Sequence, residues 1–387
     1  MNTAETLIYL TACSLNNVAA KLDEADWDFL YYLSKGHNMS AITANSLIKT
    51  KAFENADEST KKKWTQMLNG AIKRTMLFNA ERNKICTFLE ERGIRHIPLK
   101  GAVLNDMYPC FGTREFADND ILYDGKYSED VKEWMTSQGY TMRNDSYVAD
   151  EYSKPPLYNF EMHSRLFRAK KANDPRLAFY ERMLERKIPE KGKQFSFRMS
   201  NEDFYIYFII HAFKHYDSRG TGFRTVADEY VILHCDKLSF DRGLVDDELE
   251  KLGLTEFERT LCSLAEKLFK SPESLPGAFR LLSDDEREML NYVFTCGTFG
   301  KMDNMFKKEL ESVYGDKNAS KGKYYLKRIF PGVSRYRYTN PFVYKHKIVY
   351  PFFWLYRTAV YPIAHRSQLK REINAIKRIN KDSNDEK

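Results

Sequence analysis

The sequence predicts an α+β protein, a small mixed sheet flanked by N-terminal and C-terminal helical regions, and two observations carry that prediction. Apolar residues recur at helical spacing through the first ninety residues and again from Asn201 onward. Between these regions, short runs alternate with period two and are bounded by glycine and proline. Six cysteines, Cys13, Cys86, Cys110, Cys235, Cys262 and Cys296, are scattered without a C-x-x-C pair, which predicts reduced structural thiols rather than a disulfide framework.

Residues 1–92 read as the N-terminal helical region. Helical patterns cover 5–15, 23–33 and 59–92, the last either continuous or broken near Gly70. Residues 93–200 hold the strands. The run 94–99 is apolar and ends in Lys100-Gly101, so it reads as a strand entering a turn where glycine lets the backbone approach a phosphate. A second strand covers Asp118-Asn119-Asp120-Ile121-Leu122. A third, 157–166, follows a loop-like Ser153-Lys154-Pro155-Pro156. Residues 201–320 form a helical domain with patterns at 204–210, 226–235, 256–269 and 284–294, and residues 321–387 form a basic, aromatic tail.

The chemistry concentrates in the strand region. In an extended chain, positions two apart share a face, so Asp118 and Asp120 point one way and Asn119 and Ile121 the other. Two carboxylates held that close repel unless a cation lies between them. Mg2+ or Mn2+ suits such a pair, taking one or two carboxylates and completing its shell with water and phosphate oxygens. On the third strand, Glu161 and His163 share one face, opposite Phe160 and Met162. If that strand pairs beside Asp118-Asn119-Asp120, three carboxylates converge.

The run Pro98-Leu99-Lys100-Gly101, then Arg114, the D-x-D of Asp118 and Asp120, and Glu161-Met162-His163 resembles the uncharacterised nucleotidyltransferase family of the polymerase-beta-like superfamily. His211 and His215 on one helix, followed by Arg224 and Asp228, resemble the same family's histidine helix and Arg-x-x-x-Asp helix. The likeness covers roughly residues 90 to 240. It implies a nucleotidyltransferase-fold core in which Asp118 and Asp120 bind two divalent metals. Glu161 would be the third carboxylate and the base. Lys100 and the Gly101 amide would hold the triphosphate, Arg114 would steady the site, and the NMP of an NTP would pass to an acceptor with release of pyrophosphate. Two positions depart from the superfamily pattern: Gly101-Ala102 replaces Gly-Ser or Gly-Gly, and Asn119 replaces an apolar residue.

His211 and His215 stand four apart, a spacing that could ligate zinc, but Ala212 occupies the place where a zinc-peptidase helix needs glutamate. Two readings remain: a hydrogen-bonded support of His211, His215 and Asp228 beneath the site, or contacts to nucleotide and acceptor with Arg224 on phosphate. His163 either supports the metal site or packs.

At 387 residues, two or three domains are expected. The first residues lack the basic start and apolar core of a signal peptide, and no apolar run reaches the ~18 residues of a membrane span, so a cytoplasmic protein is expected. Charge is local. Residues 321–387 carry 16 Lys/Arg against 4 Asp/Glu, net +12, which leaves −5 for the rest of a chain whose total is +7. Thirteen aromatics from Tyr324 to Tyr361 interleave with this charge, and Leu369, Ile373, Ile376 and Ile379 form an apolar stripe. The tail therefore suits packing onto the helical domain, an anionic membrane surface at the inner face, or single-stranded nucleic acid. The expected partners are an NTP and an acceptor that is a small molecule, glycan precursor, protein or RNA. The alternative function is a nucleotide-binding scaffold without turnover in a membrane-peripheral assembly.

Overall fold

The computed structural model describes residues 1–115, 119–144, 146–167, 174–218, 221–296, 346–351 and 353. The chain divides into two units, Met1–Phe213 with Thr221–Thr298, and Lys214–Gly220 with Phe299–Lys387. The first contains the site. The predicted tail stripe, residues 369–379, lies outside the described residues.

The N-terminal helices start where side-chain oxygens can take their open amides. Helix α1 (Thr3–Leu15) begins with a reciprocal Asn2–Glu5 capping box, α2 (Trp27–Gly36) with Asp26, and α5 (Glu58–Glu91) with Asp57. Between them lie α3 (Ser40–Leu47) and α4 (Lys51–Glu54). Of the two readings for residues 59–92, the continuous helix is the observed one: α5 runs unbroken through Gly70, whose missing side chain faces open space.

One five-stranded sheet follows, in the order β1-β2-β5-β4-β3, with β1 His96–Pro98, β2 Asn119–Tyr123, β3 Thr141–Asn144, β4 Ala149–Lys154 and β5 Tyr158–His163. Strands β2 and β5 are parallel and the other pairs antiparallel, so the sheet is mixed as the sequence predicts. Two segments differ from the sequence reading. Lys100-Gly101 opens a short helix, α6 (Lys100–Asn105), because Ala102 and Leu104 find buried positions. Ser153 and Lys154 belong to β4, pairing with Asn159 and Tyr158, and Pro155-Pro156 is the turn. A residue before proline favours extended backbone, so the strand runs to the edge of the turn.

One sheet face is buried against α5 and α7 (Ser128–Ser137). Phe78, Ile85 and Leu89 of α5 and Val131 and Met135 of α7 close over Ile121, Tyr123, Phe160 and Met162. Each such side chain contributes roughly 1.5–3 kcal/mol of transfer free energy. Alternation turns the neighbouring residues, Asp120, Glu161 and His163, to the other face. After the sheet come α8 (Pro175–Arg186), a two-stranded ribbon of β6 (Ile188–Pro189) and β7 (Phe197–Arg198), and helices α9 (Asn201–Ser218), α10 (Arg224–Leu233), α11 (Arg242–Leu252), α12 (Thr255–Phe269), α13 (Leu275–Ala278) and α14 (Asp284–Cys296). No helix among the described residues is long and apolar enough to cross a membrane.

Candidate active site

Asn119 sets the direction of the acidic strand. It is 1% exposed, and its Oδ1 accepts a hydrogen bond from Arg82 Nη1 of α5 at 3.1 Å. With Asn119 held inward, Asp120 must leave the sheet on the opposite face. The parallel register places Glu161 directly beside Asp120. His163 follows two residues later on the same face, and Asp120, Glu161 and His163 offer oxygen and nitrogen atoms all within 4.8 Å of one another. His163 Nε2 lies 3.6 Å from Asp120 Oδ1 and 3.4 Å from Glu161 Oε2. Burial disfavours the charged ring, but the two carboxylates outweigh it and raise His163 to about 9. The imidazolium thus acts as a built-in counter-ion.

The cationic half of the site is tied to the same strand. Leu99 N–H donates to the Asp120 carbonyl at 2.9 Å, which fixes the start of α6 and sets Lys100 beside the acids. Lys100 Nζ lies 2.7 Å from Nδ1 of His211 on α9. An ammonium can only donate, so the ring accepts there as neutral imidazole with its proton on Nε2. Burial first, then the charge of Arg114, brings Lys100 down to about 8; Arg224 acts in the same direction, while Asp228 and Asp120 oppose it.

Arg114 is 2% exposed, and its Nε and Nη2 donate to the Asp228 carboxylate of α10 at 2.7 and 2.9 Å. Tyr108 donates to the same carboxylate at 2.8 Å. Burial pushes Asp228 toward the neutral form, yet Arg114 prevails and holds it below the ordinary carboxylate range. Gly112, at φ +77°, lets this loop lie against α5, since a Cβ there would fall 2.7 Å from the Ile72 Cα. Arg224 Nη1 donates to the Glu115 carbonyl. The Glu115 carboxylate accepts the Ala41 N–H at 3.0 Å, at the end of α3 that Met39 leaves without a side-chain cap. Residue 115 is thereby anchored from two helices just before the D-x-D.

Of the residues singled out from sequence, Asp120, Glu161 and His163 come together, and Lys100 lies within electrostatic reach of Arg114, Arg224, Asp120 and Asp228. Gly101 is the second residue of α6. Asp118 lies outside the described residues. His211 reaches Lys100 and Asp228 reaches Arg114, so both helices enter the site. Arg82, Tyr108 and Glu115 were not legible: their partners lie 37, 120 and 74 residues away, and no local spacing marks them.

Residues 23–270, well over half of the chain, match the family described as uncharacterised nucleotidyltransferase, and the chain belongs to that family. No curated protein and no solved structure matches it. Membership assigns the chain to nucleotidyl transfer in general, chemistry that typically uses divalent metals. The donor set fits such an ion. Two carboxylates on one face suit Mg2+ or Mn2+, and His163 would join them only as neutral imidazole, its proton displaced by the ion, a donor that suits Mn2+ better than Mg2+.

Proposed function

We propose that the chain is a metal-dependent nucleotidyltransferase that moves an NMP from an NTP to an acceptor hydroxyl and releases pyrophosphate. The observation that carries this reading is the register of Asp120 against Glu161, with Lys100 held next to the same strand. Asp118, Asp120 and Glu161 would hold Mg2+ or Mn2+, which when bound neutralises charge at the α-phosphate and makes the acceptor oxygen more nucleophilic.

The chain's own groups account for the rest. The Lys100 ammonium, positioned by His211, and the Arg224 guanidinium face the triphosphate, with the Gly101 amide alongside. The Arg114–Asp228 pair keeps this wall in place. As the acceptor oxygen bonds to the α-phosphorus and the bond to pyrophosphate breaks, Glu161 takes the acceptor's proton. Free cysteines among the described residues agree with a cytoplasmic location, and the basic, aromatic composition of residues 321–387 would suit an anionic membrane face.

A second reading, a nucleotide-binding scaffold without turnover, is favoured by Ala102, which is 6% exposed and brings no hydroxyl beside Gly101. The two separate in one experiment. Each α-labelled NTP is supplied with Mg2+ or Mn2+ to protein, RNA and small-molecule fractions. Label entering one fraction supports the enzyme; nucleotide bound without any transfer supports the scaffold; no binding at all removes both.

A further inference from the structure

Behind the site, three helices meet around one phenol. Tyr205 on α9 has its hydroxyl oxygen 2.6 Å from Glu229 Oε1 on α10 and 2.6 Å from Glu258 Oε1 on α12. Tyrosine has one proton to donate. Two oxygen–oxygen contacts this short each require a hydrogen, so one of the carboxyl groups must supply the second. Arg242 on α11 decides which. Its Nη2 donates to Glu258 Oε1 at 2.8 Å, which leaves Glu229 to carry the second hydrogen. Glu229 is fully buried, and its Oε2 has no hydrogen-bond partner among the described residues.

We propose that Glu229 is a proton-binding site, a carboxylic acid that stays protonated at neutral pH, donates to the Tyr205 oxygen, and through it locks α9, α10 and α12 together. The surrounding groups agree. Burial drives Glu229 up to about 8; the Tyr205 hydrogen bond and Arg242 pull it down, while Glu258 and Asp228 push it up. Burial and the two glutamates hold Tyr205 neutral, well above its ordinary range. Cys262, one turn after Glu258 on α12, is also neutral, its thiol pushed up to about 12 by burial.

Glu229, Glu258 and Cys262 also bring ligand atoms within 4.8 Å of one another, a set that a metal ion could use. The proton fits better. Arg242 already pairs with Glu258, and also with Asp246 at 2.8 Å, so a neutral Glu229 adds no further negative charge, whereas a divalent ion would have to displace the Tyr205 and Arg242 contacts in a packed interior. The lock bears on the nucleotide site through its neighbours: Asp228, which holds Arg114, precedes Glu229, and α9 also carries His211. Ionising Glu229 sets two carboxylates against one phenol and strains both helices.

Folding stability reports the proton. The carboxyl titrates near 4.5 when unfolded and at about 8 when folded, so between those values the folded chain holds one more proton. The Glu229 contribution to stability then falls as pH rises, by a factor of ten in the folding constant per pH unit, and levels above about 8. Glu229→Gln keeps the shape and a donor but cannot ionise. Denaturation of both proteins across this range should show the native chain losing stability relative to the variant tenfold per pH unit up to about 8, while His163 and His37 titrate alike in both. Infrared spectra of the native chain, which need no variant, should show a carboxylic-acid carbonyl band at pH 7 that disappears as pH rises through about 8. Equal slopes, or no acid band at pH 7, would overturn the proposal. So would one equivalent of bound metal that Glu229→Gln loses.

Discussion

Asp120 and Glu161 stand opposite each other in a parallel ladder, and both carboxylates leave the sheet on the face away from α5. That geometry depends on Asn119, whose inward amide is bonded to Arg82. Asn119 is a polar residue on the buried face of this strand, and α5 presents a buried guanidinium to receive it.

Asn119→Leu should therefore destabilise the chain although it makes a buried strand position apolar. It leaves Arg82 without that acceptor in a buried place, a loss of about 1–3 kcal/mol. Adding Arg82→Met should return much of the loss. Urea denaturation of the two single variants and the double variant measures the coupling.

Asp228→Ala should cost roughly 3–5 kcal/mol, because it takes from the buried Arg114 guanidinium the carboxylate that accepts two of its hydrogen bonds and removes the acceptor of Tyr108. Arg114→Met together with Asp228→Leu should fold better than Asp228→Ala alone. Midpoints of chemical denaturation decide this, and equal midpoints for all variants would show that the pair contributes little.

Nucleotide affinity should weaken as pH rises through about 8. Lys100, lowered by burial and by Arg114, carries its charge below that value and loses it above, and the phosphates require the charged form. Titration calorimetry with a non-hydrolysable NTP should show this decline in the native chain and a flatter, weaker profile in Lys100→Met.

Acid should destabilise the N-terminal packing through His37. The ring is 2% exposed, and its Nδ1 accepts the Phe223 N–H at 3.2 Å, which requires the neutral form. Burial lowers its pKa from 6.5 to about 4, so the unfolded chain takes up the proton first and stability drops as pH falls from 6.5 toward 4. The full effect is on the order of 3 kcal/mol. Denaturation curves of His37→Gln, which can accept the same hydrogen bond, should lack this component.

The acidic face of the site was legible because period-two alternation is local: Asp120, Glu161 and His163 needed only the pairing of two strands to meet. The helical patterns of α1, α2 and α5 were legible because helical periodicity is local too, though it left open whether α5 breaks at Gly70. What the sequence hid is long-range. Nothing near Glu115 shows that its carboxylate caps α3, and nothing near Arg82 shows that it meets Asn119. Lys100-Gly101 read as a turn because glycine is a local breaker, but the burial of Ala102 and Leu104 makes a helix there worthwhile.

The carboxylates on β2 and β5 are proposed to run nucleotidyl transfer. The most direct measurement is Mn2+-dependent pyrophosphate release from an NTP with its acceptor fraction, comparing the native chain with Asp120→Asn and Glu161→Gln, each shown by circular dichroism to be folded. A fall of at least a hundredfold in both variants, with nucleotide binding largely kept, is the expected result. Release at native rates in either folded variant would contradict the claim.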